Sequence, residues 1–224
     1  MSATTGRSDP TPRLKPPPAA PATQAGADGR RRQPRGDARR QQIIDAAIEL
    51  FAERGFRGTG IAPLAERVGV SHPALLYYFG TKERLLLEVA AERERVESSL
   101  FDDKSDRMEW LHDLVRFNSR SPTLIRLYIV LAAENLDESD PLHSFFVNRY
   151  KLARQLMSHM LRVEQRAGTV GPDADIAQLS REILATLLGL EMQWLIDPDS
   201  VDLVTSVDGY IDGLRQRLNP NPHE

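Results

Sequence analysis

The chain of 224 residues contains no cysteine. Disulfides, thiolate metal ligands and thiol nucleophiles are therefore excluded, and a reducing compartment such as the cytoplasm is expected. Long apolar runs are also lacking. Nothing approaches the roughly 20 consecutive apolar residues that a membrane-spanning helix needs, so no membrane partner is expected. The N-terminus has no apolar stretch of the kind a secretory signal carries. Histidine is scarce. His72, His112, His143, His159 and His223 are the five, and none stands in a metal-ligand spacing such as His-Glu-x-x-His. No glycine-rich phosphate loop follows a strand; Gly58-Thr59-Gly60 is too short. β alternation of useful length and internal repeats are missing. These absences leave no catalytic residue, no metal site and no cofactor, and so no enzyme.

What is present is unevenly distributed. The formal net charge is −3, which alone speaks against a nucleic-acid partner. Residues 1–40, however, hold nine Lys or Arg against three Asp, or +6. Prolines at 10, 12, 16, 17, 18, 21 and 34 break any helix there. Residues 1–36 therefore read as a disordered Pro/Arg-rich arm. It either follows DNA phosphates or merely keeps the chain soluble.

Beyond the arm, apolar residues recur at helical spacing. A first helix starts near Asp37, carries Ile43, Ile44, Ala47, Ile48 and Phe51, and stops at Gly55. A second covers about 61–68. Gly69-Val70-Ser71 then joins a helix stop to a helix start, with Ser71 as N-cap and Pro73 in the first turn. Helix three runs to Phe79. Gly80-Thr81 ends it and caps a fourth helix from Lys82 to about Glu97. Residues 60–79 are thus a helix-turn-helix. Its second helix is small and polar at its N-terminal end, which suits entry into a major groove. His72 can bond a base edge, and Ala74 can touch a thymine methyl. Tyr77 and Lys82 suit phosphate contacts, as does the Thr59 hydroxyl ahead of helix two. Tyr78 serves both packing and phosphate, whereas Phe79 packs. Residues 41–97 hold seven basic and nine acidic side chains, so affinity must come from a few placed contacts.

The remainder also reads as helix. Ser105, Ser121-Pro122, Asp140-Pro141 and Pro172-Asp173 are the expected helix openings, and Asp197-Pro198-Asp199 is a break. The fold class is all-α, with an N-terminal three-helix helix-turn-helix head and a C-terminal helical bundle.

Residues 46–56, Ala-Ala-Ile-Glu-Leu-Phe-Ala-Glu-Arg-Gly-Phe, then Thr59, then Leu64-Ala65-Glu66-Arg67-Val68-Gly69-Val70-Ser71, Leu75-Leu76-Tyr77-Tyr78-Phe79 and Thr81-Lys82-Glu83 together resemble the TetR family of bacterial transcriptional regulators. The resemblance covers 37–97 by motif and 98–224 only as a helical body of matching size. It implies a DNA-binding domain over 37–97 and a dimerising, effector-binding domain over 98–224. Further implied are a homodimer on double-stranded DNA with an inverted-repeat operator, and repression relieved by a small molecule. Pro73, Leu76, Tyr78 and Ala62 depart from the family pattern, which points to an altered operator rather than lost binding. Ser71, Pro73 and Tyr78 remain in the DNA-contact set. In the body, Trp110, Phe117, Tyr128, Tyr150 and Met157 are candidate effector-pocket residues, set against plain core packing. Leu184, Leu187, Leu188, Trp194, Val207 and Ile211 are candidates for a four-helix dimer interface, set against burial within one chain. A helical interaction protein without specific DNA binding is the alternative function.

Overall fold

The structure is a computed structural model that describes residues 34–98 and 108–219. Most of the arm and the expected Ser105 cap lie outside the described residues. Among the described residues every regular element is a helix. α1 spans Pro34–Gly58, α2 Ile61–Arg67, α3 His72–Phe79 and α4 Lys82–Ser98. α5 spans Glu109–Ser119, α6 Pro122–Ala133, α7 His143–Ala167, α8 Ile176–Ile196 and α9 Leu203–Leu218.

Local chemistry explains most boundaries. Ser71 Oγ accepts from the Ala74 N–H at 3.2 Å, capping α3. Thr81 Oγ1 accepts from Arg84 N–H at the start of α4. Gly69 and Gly80 take positive φ in the turns on either side of α3. Pro122 opens α6, and Asp202 caps α9 through Thr205 N–H.

Two expected openings are corrected. α7 begins only at His143, because the Asp140 carboxylate is engaged elsewhere, by Asp137 N–H and the Arg57 guanidinium. α8 begins at Ile176, because Asp175 rather than Asp173 accepts from Gln178 N–H.

The helices enclose two apolar clusters. One joins α1–α4 to α6 and α7: Phe51, Leu75, Phe79, Leu85 and Val89 pack with Leu127, Leu131 and Phe146. The head core therefore runs without interruption into the body. The other binds α5–α9 through Trp110, Met157, Ile183, Val207 and Ile211.

α1 does not end simply. At Gly55 the backbone leaves the helix with φ 73° and ψ 169°. The Glu134 carboxylate, just past α6, accepts from Phe56 N–H at 2.6 Å and Arg57 N–H at 3.3 Å. Arg57 in turn donates to the Glu134 carbonyl and to Asp140. This corner clamps head to body across nearly 80 residues of sequence.

Candidate functional site

The capped start of α3 faces solvent. Ser71, His72 and Pro73 are exposed, and Ala74 is half-buried behind them. One turn on, Tyr77 is 87 % exposed, the largest exposure among the exposed large apolar side chains. Tyr78 is half-buried, with its ring edge-on to Tyr77 at 5.8 Å. The opposite face is anchored by Leu75 and Phe79, both buried in the head core. The helix thus divides into a packed face and an outward face of small, imidazole and phenol groups. An outward face of that kind can enter a groove while the core holds its angle.

Two expected contacts differ from expectation. Thr59 is 2 % exposed, and its hydroxyl donates inward, to Gly55 O at 2.7 Å and Leu50 O at 3.2 Å. A phosphate contact from that hydroxyl is overturned, because the hydroxyl is turned inward onto two backbone carbonyls of α1. Lys82 is half-buried. Its ammonium donates to Phe56 O and lies 4.1 Å from the Phe56 ring centroid. Burial pulls its pKa below the ordinary lysine range, against the nearby Glu83 and Glu134 carboxylates, which favour the charged form. Its charge already braces the Gly55 corner.

Several basic side chains of the head are likewise engaged. Arg39 donates to Val68 O at the turn before α3. Arg67 pairs with Glu49 and Arg40 with Glu88, while Arg40 also lies over Phe79. These contacts orient the helix-turn-helix from α1 and α4. Sequence reasoning counted Arg39 and Arg40 only within the basic charge of residues 1–40 and missed this role, because their partners lie 29 or more residues away.

The body holds a cavity of about 130 Å³, open at its mouth, between α5, α6, α7 and α8. Trp110, Tyr128, Tyr150 and Met157 line it as expected of pocket residues. Phe117 is half-buried but is not among the lining residues. The walls also carry Asn118, Arg149 and Glu191, which sequence reasoning passed over. Asn118 donates to Glu191 at 2.7 Å. The Arg149 guanidinium lies 4.4 Å from the Tyr128 ring centroid. Burial pushes the Tyr150 phenol pKa above its ordinary range; Arg149 opposes the shift and Glu191 adds to it. A signal for two of these residues was available. Asn118 continues the 110–114 register of α5, and Glu191 continues the 184–187–188 register of α8. A polar residue on an apolar stripe is more informative than the apolar residues around it, because its burial demands a partner.

The dimer-interface residues are redistributed. Leu187, Val207 and Ile211 are buried within this chain's own core, so they are not free to face a partner. Leu184, Leu187 and Leu188 line the cavity. Trp194 packs half-buried against the α5–α9 cluster. The exposed apolar positions of α8 are instead Met192 and Ile196, the latter 77 % exposed.

The α2–α3 pair is a helix-turn-helix packed onto a helical body, an arrangement that suits a DNA-binding transcriptional regulator. Residues 43–89 match the family model described as "Bacterial regulatory proteins, tetR family". The transcriptional regulator TtgR of Pseudomonas putida is 29 % identical over 203 residues, covering 81 % of this chain and 92 % of TtgR. Among solved structures, NalD of Pseudomonas aeruginosa superposes with a TM-score of 0.63 at 22 % identity, covering 84 % of this chain and all of NalD. A SmeT–triclosan complex gives 0.63 at 21 % identity, covering 79 % and 91 % of the two chains. Over residues 43–89 the chain carries a DNA-binding domain of the TetR type, and the body shares the all-helical fold of these regulators. Regulators of this family are transcription factors rather than enzymes; they bind DNA and small effectors and act as dimers. No described helix is long and apolar enough to cross a membrane.

Proposed function

We propose that this protein is a cytoplasmic homodimeric repressor that binds an inverted-repeat operator through α3 and leaves it when a small molecule occupies the body cavity. The outward face of α3 carries the reading. His72, Pro73 and Ala74 meet base edges at its N-terminal end, while Tyr77 and Tyr78 reach the flanking phosphates. Ser71 acts by setting the first turn. Lys82 contributes its field near the backbone and braces the corner beneath. Two recognition helices related by a two-fold axis read half-sites about 34 Å apart.

The dimer face is assigned to α8, where Ala185, Gly189, Met192 and Ile196 recur one turn apart on the side away from the cavity. Gly189 offers open space where a side chain would stand, so a partner helix can approach closely. The effector site is the cavity, whose mixed walls fit a small, largely apolar molecule that carries a polar group. NalD is the secondary repressor of a multidrug efflux pump, and SmeT was solved with triclosan. Apolar phenols of that kind are the first compounds to screen.

Selection of a random duplex library on the full chain at near-physiological salt tests the reading. An enriched inverted repeat supports it. Unselective binding that vanishes when residues 1–40 are removed refutes specific recognition by α3. No binding at all favours the helical interaction protein.

A further inference from the structure

α6 borders both the cavity and the head, and one of its side chains reaches each. The Tyr128 ring forms part of the cavity wall. Its hydroxyl donates to the Ala90 carbonyl of α4 at 2.8 Å, in a buried setting. The Arg149 guanidinium, also in the cavity wall, lies over the same ring at 4.4 Å. Phe145 and Phe146 hold the ring at 6.3 and 6.0 Å between centroids. The ring is therefore fixed by a cation and two aromatics while its hydroxyl is fixed on the head.

We propose that Tyr128 is the residue through which the DNA-binding head senses cavity occupancy. This rests on reading the cavity as the effector site. A molecule entering the cavity meets the Tyr128 ring and Arg149 together. The ring has little room, because close-packed surroundings allow discrete rearrangements rather than gradual ones. Either the hydroxyl leaves Ala90 O or α4 moves with it. Only two residues, Gly80 and Thr81, separate α3 from α4. Its Leu85, Leu86 and Val89 share one core with Leu75 and Phe79. A displacement at Ala90 therefore changes how α3 is presented. The Glu134 clamp, just past the same helix, holds the end of α1 rather than α4, so the two ties are separable.

Linkage makes the proposal measurable from either side, because operator must weaken cavity binding by the same factor that cavity binding weakens operator. The probe is 1-anilinonaphthalene-8-sulfonate, titrated by fluorescence into the full chain with and without saturating operator duplex from the selection. The ratio of the two dissociation constants is the readout, whatever each constant does alone. For the wild type a ratio between about 5 and 150 is expected, the usual span of such couplings. Tyr128→Phe keeps the ring and the Arg149 contact but removes the donor, and its ratio should fall toward 1. A Tyr128→Phe ratio equal to that of the wild type overturns the coupling role, as does a wild-type ratio of 1. Leu156→Trp, which fills the cavity, separates the premises. If dye binding survives that substitution unchanged, the cavity reading fails and the proposal falls with it. If dye binding is abolished while Tyr128→Phe keeps its ratio, only the sensor assignment fails.

Discussion

Replacing Gly55 with alanine tests the head–body clamp most sharply. Gly55 adopts φ 73° and ψ 169°, a backbone region that is nearly glycine-only and costs another residue about 1–3 kcal/mol. A Cβ there would also stand 2.3 Å from Glu134 Oε1 and 2.9 Å from its Cδ. The carboxylate must move, and with it go its bonds to Phe56 and Arg57 N–H. Hydrogen bonds to a charged group are worth about 1.5–3 kcal/mol each in favourable settings; partial exposure reduces these two to roughly 2 kcal/mol together. Gly55→Ala should therefore cost roughly 4 kcal/mol. For a chain of this length that lowers the melting temperature by roughly 8–16 °C. In a Glu134→Ala background the clash and the bonds are already gone. There the same substitution should cost only roughly 2 kcal/mol, the backbone share. Urea unfolding of the wild type, both single variants and the double variant yields the coupling energy directly. Equal cost of Gly55→Ala in both backgrounds would refute the idea that Glu134 occupies the space that Gly55 leaves open.

Thr59→Val removes a buried hydroxyl bonded to two carbonyls. It should lower stability by about 1–2 kcal/mol and leave operator affinity unchanged; weaker operator binding by the folded variant in a titration would restore Thr59 as a phosphate contact. Tyr77→Ala exposes no core, since Tyr77 is 87 % exposed. It should therefore melt within a degree or two of the wild type yet bind operator at least tenfold more weakly, and unchanged affinity in a gel-shift titration would count against this docking of α3. Tyr150 makes an alkaline prediction. Its folded pKa is raised by burial, so its contribution is intact below the unfolded value of about 10 and is lost as pH rises through the folded value. Urea unfolding at pH 9 and pH 11 should show a larger loss of stability for wild type than for Tyr150→Phe, and equal losses would sink the assignment.

The head was legible because its signals are local. Ser71 caps a helix three residues away, Gly69 and Gly80 mark turns beside it, and Leu75 and Phe79 lie one turn apart. Periodicity likewise marked Leu187, Val207 and Ile211 as buried. It could not tell what buries them, because a stripe that packs on its own chain looks the same as one that packs on a copy. Thr59 failed for a related reason. Its position beside a DNA-reading helix is visible in sequence, but the inward turn of its hydroxyl onto the Leu50 and Gly55 carbonyls is not. The Glu134 clamp and the Tyr128–Ala90 bond were beyond reach. Their partners lie 78 and 38 residues apart, and no local pattern encodes which glutamate or tyrosine will meet which backbone group.

These long-range ties also constrain how regulation can work. A head with its own sealed core could swing on a linker, and cavity occupancy would have little to push against. Here Phe51, Leu75 and Val89 share one cluster with Leu127 and Phe146, and Glu134 fixes the end of α1. Head and α6 must therefore shift together or break apolar contact, so the permitted changes are small and collective. Small changes yield modest coupling, of the order of 1–3 kcal/mol between two sites. Inverting a 1:99 population takes about 5.5 kcal/mol. In the proposed dimer, one occupied cavity falls short of that, whereas two acting on the same pair of heads approach it. Release should accordingly depend on effector concentration more steeply than single-site binding does, and half-occupied dimers should retain much of their operator.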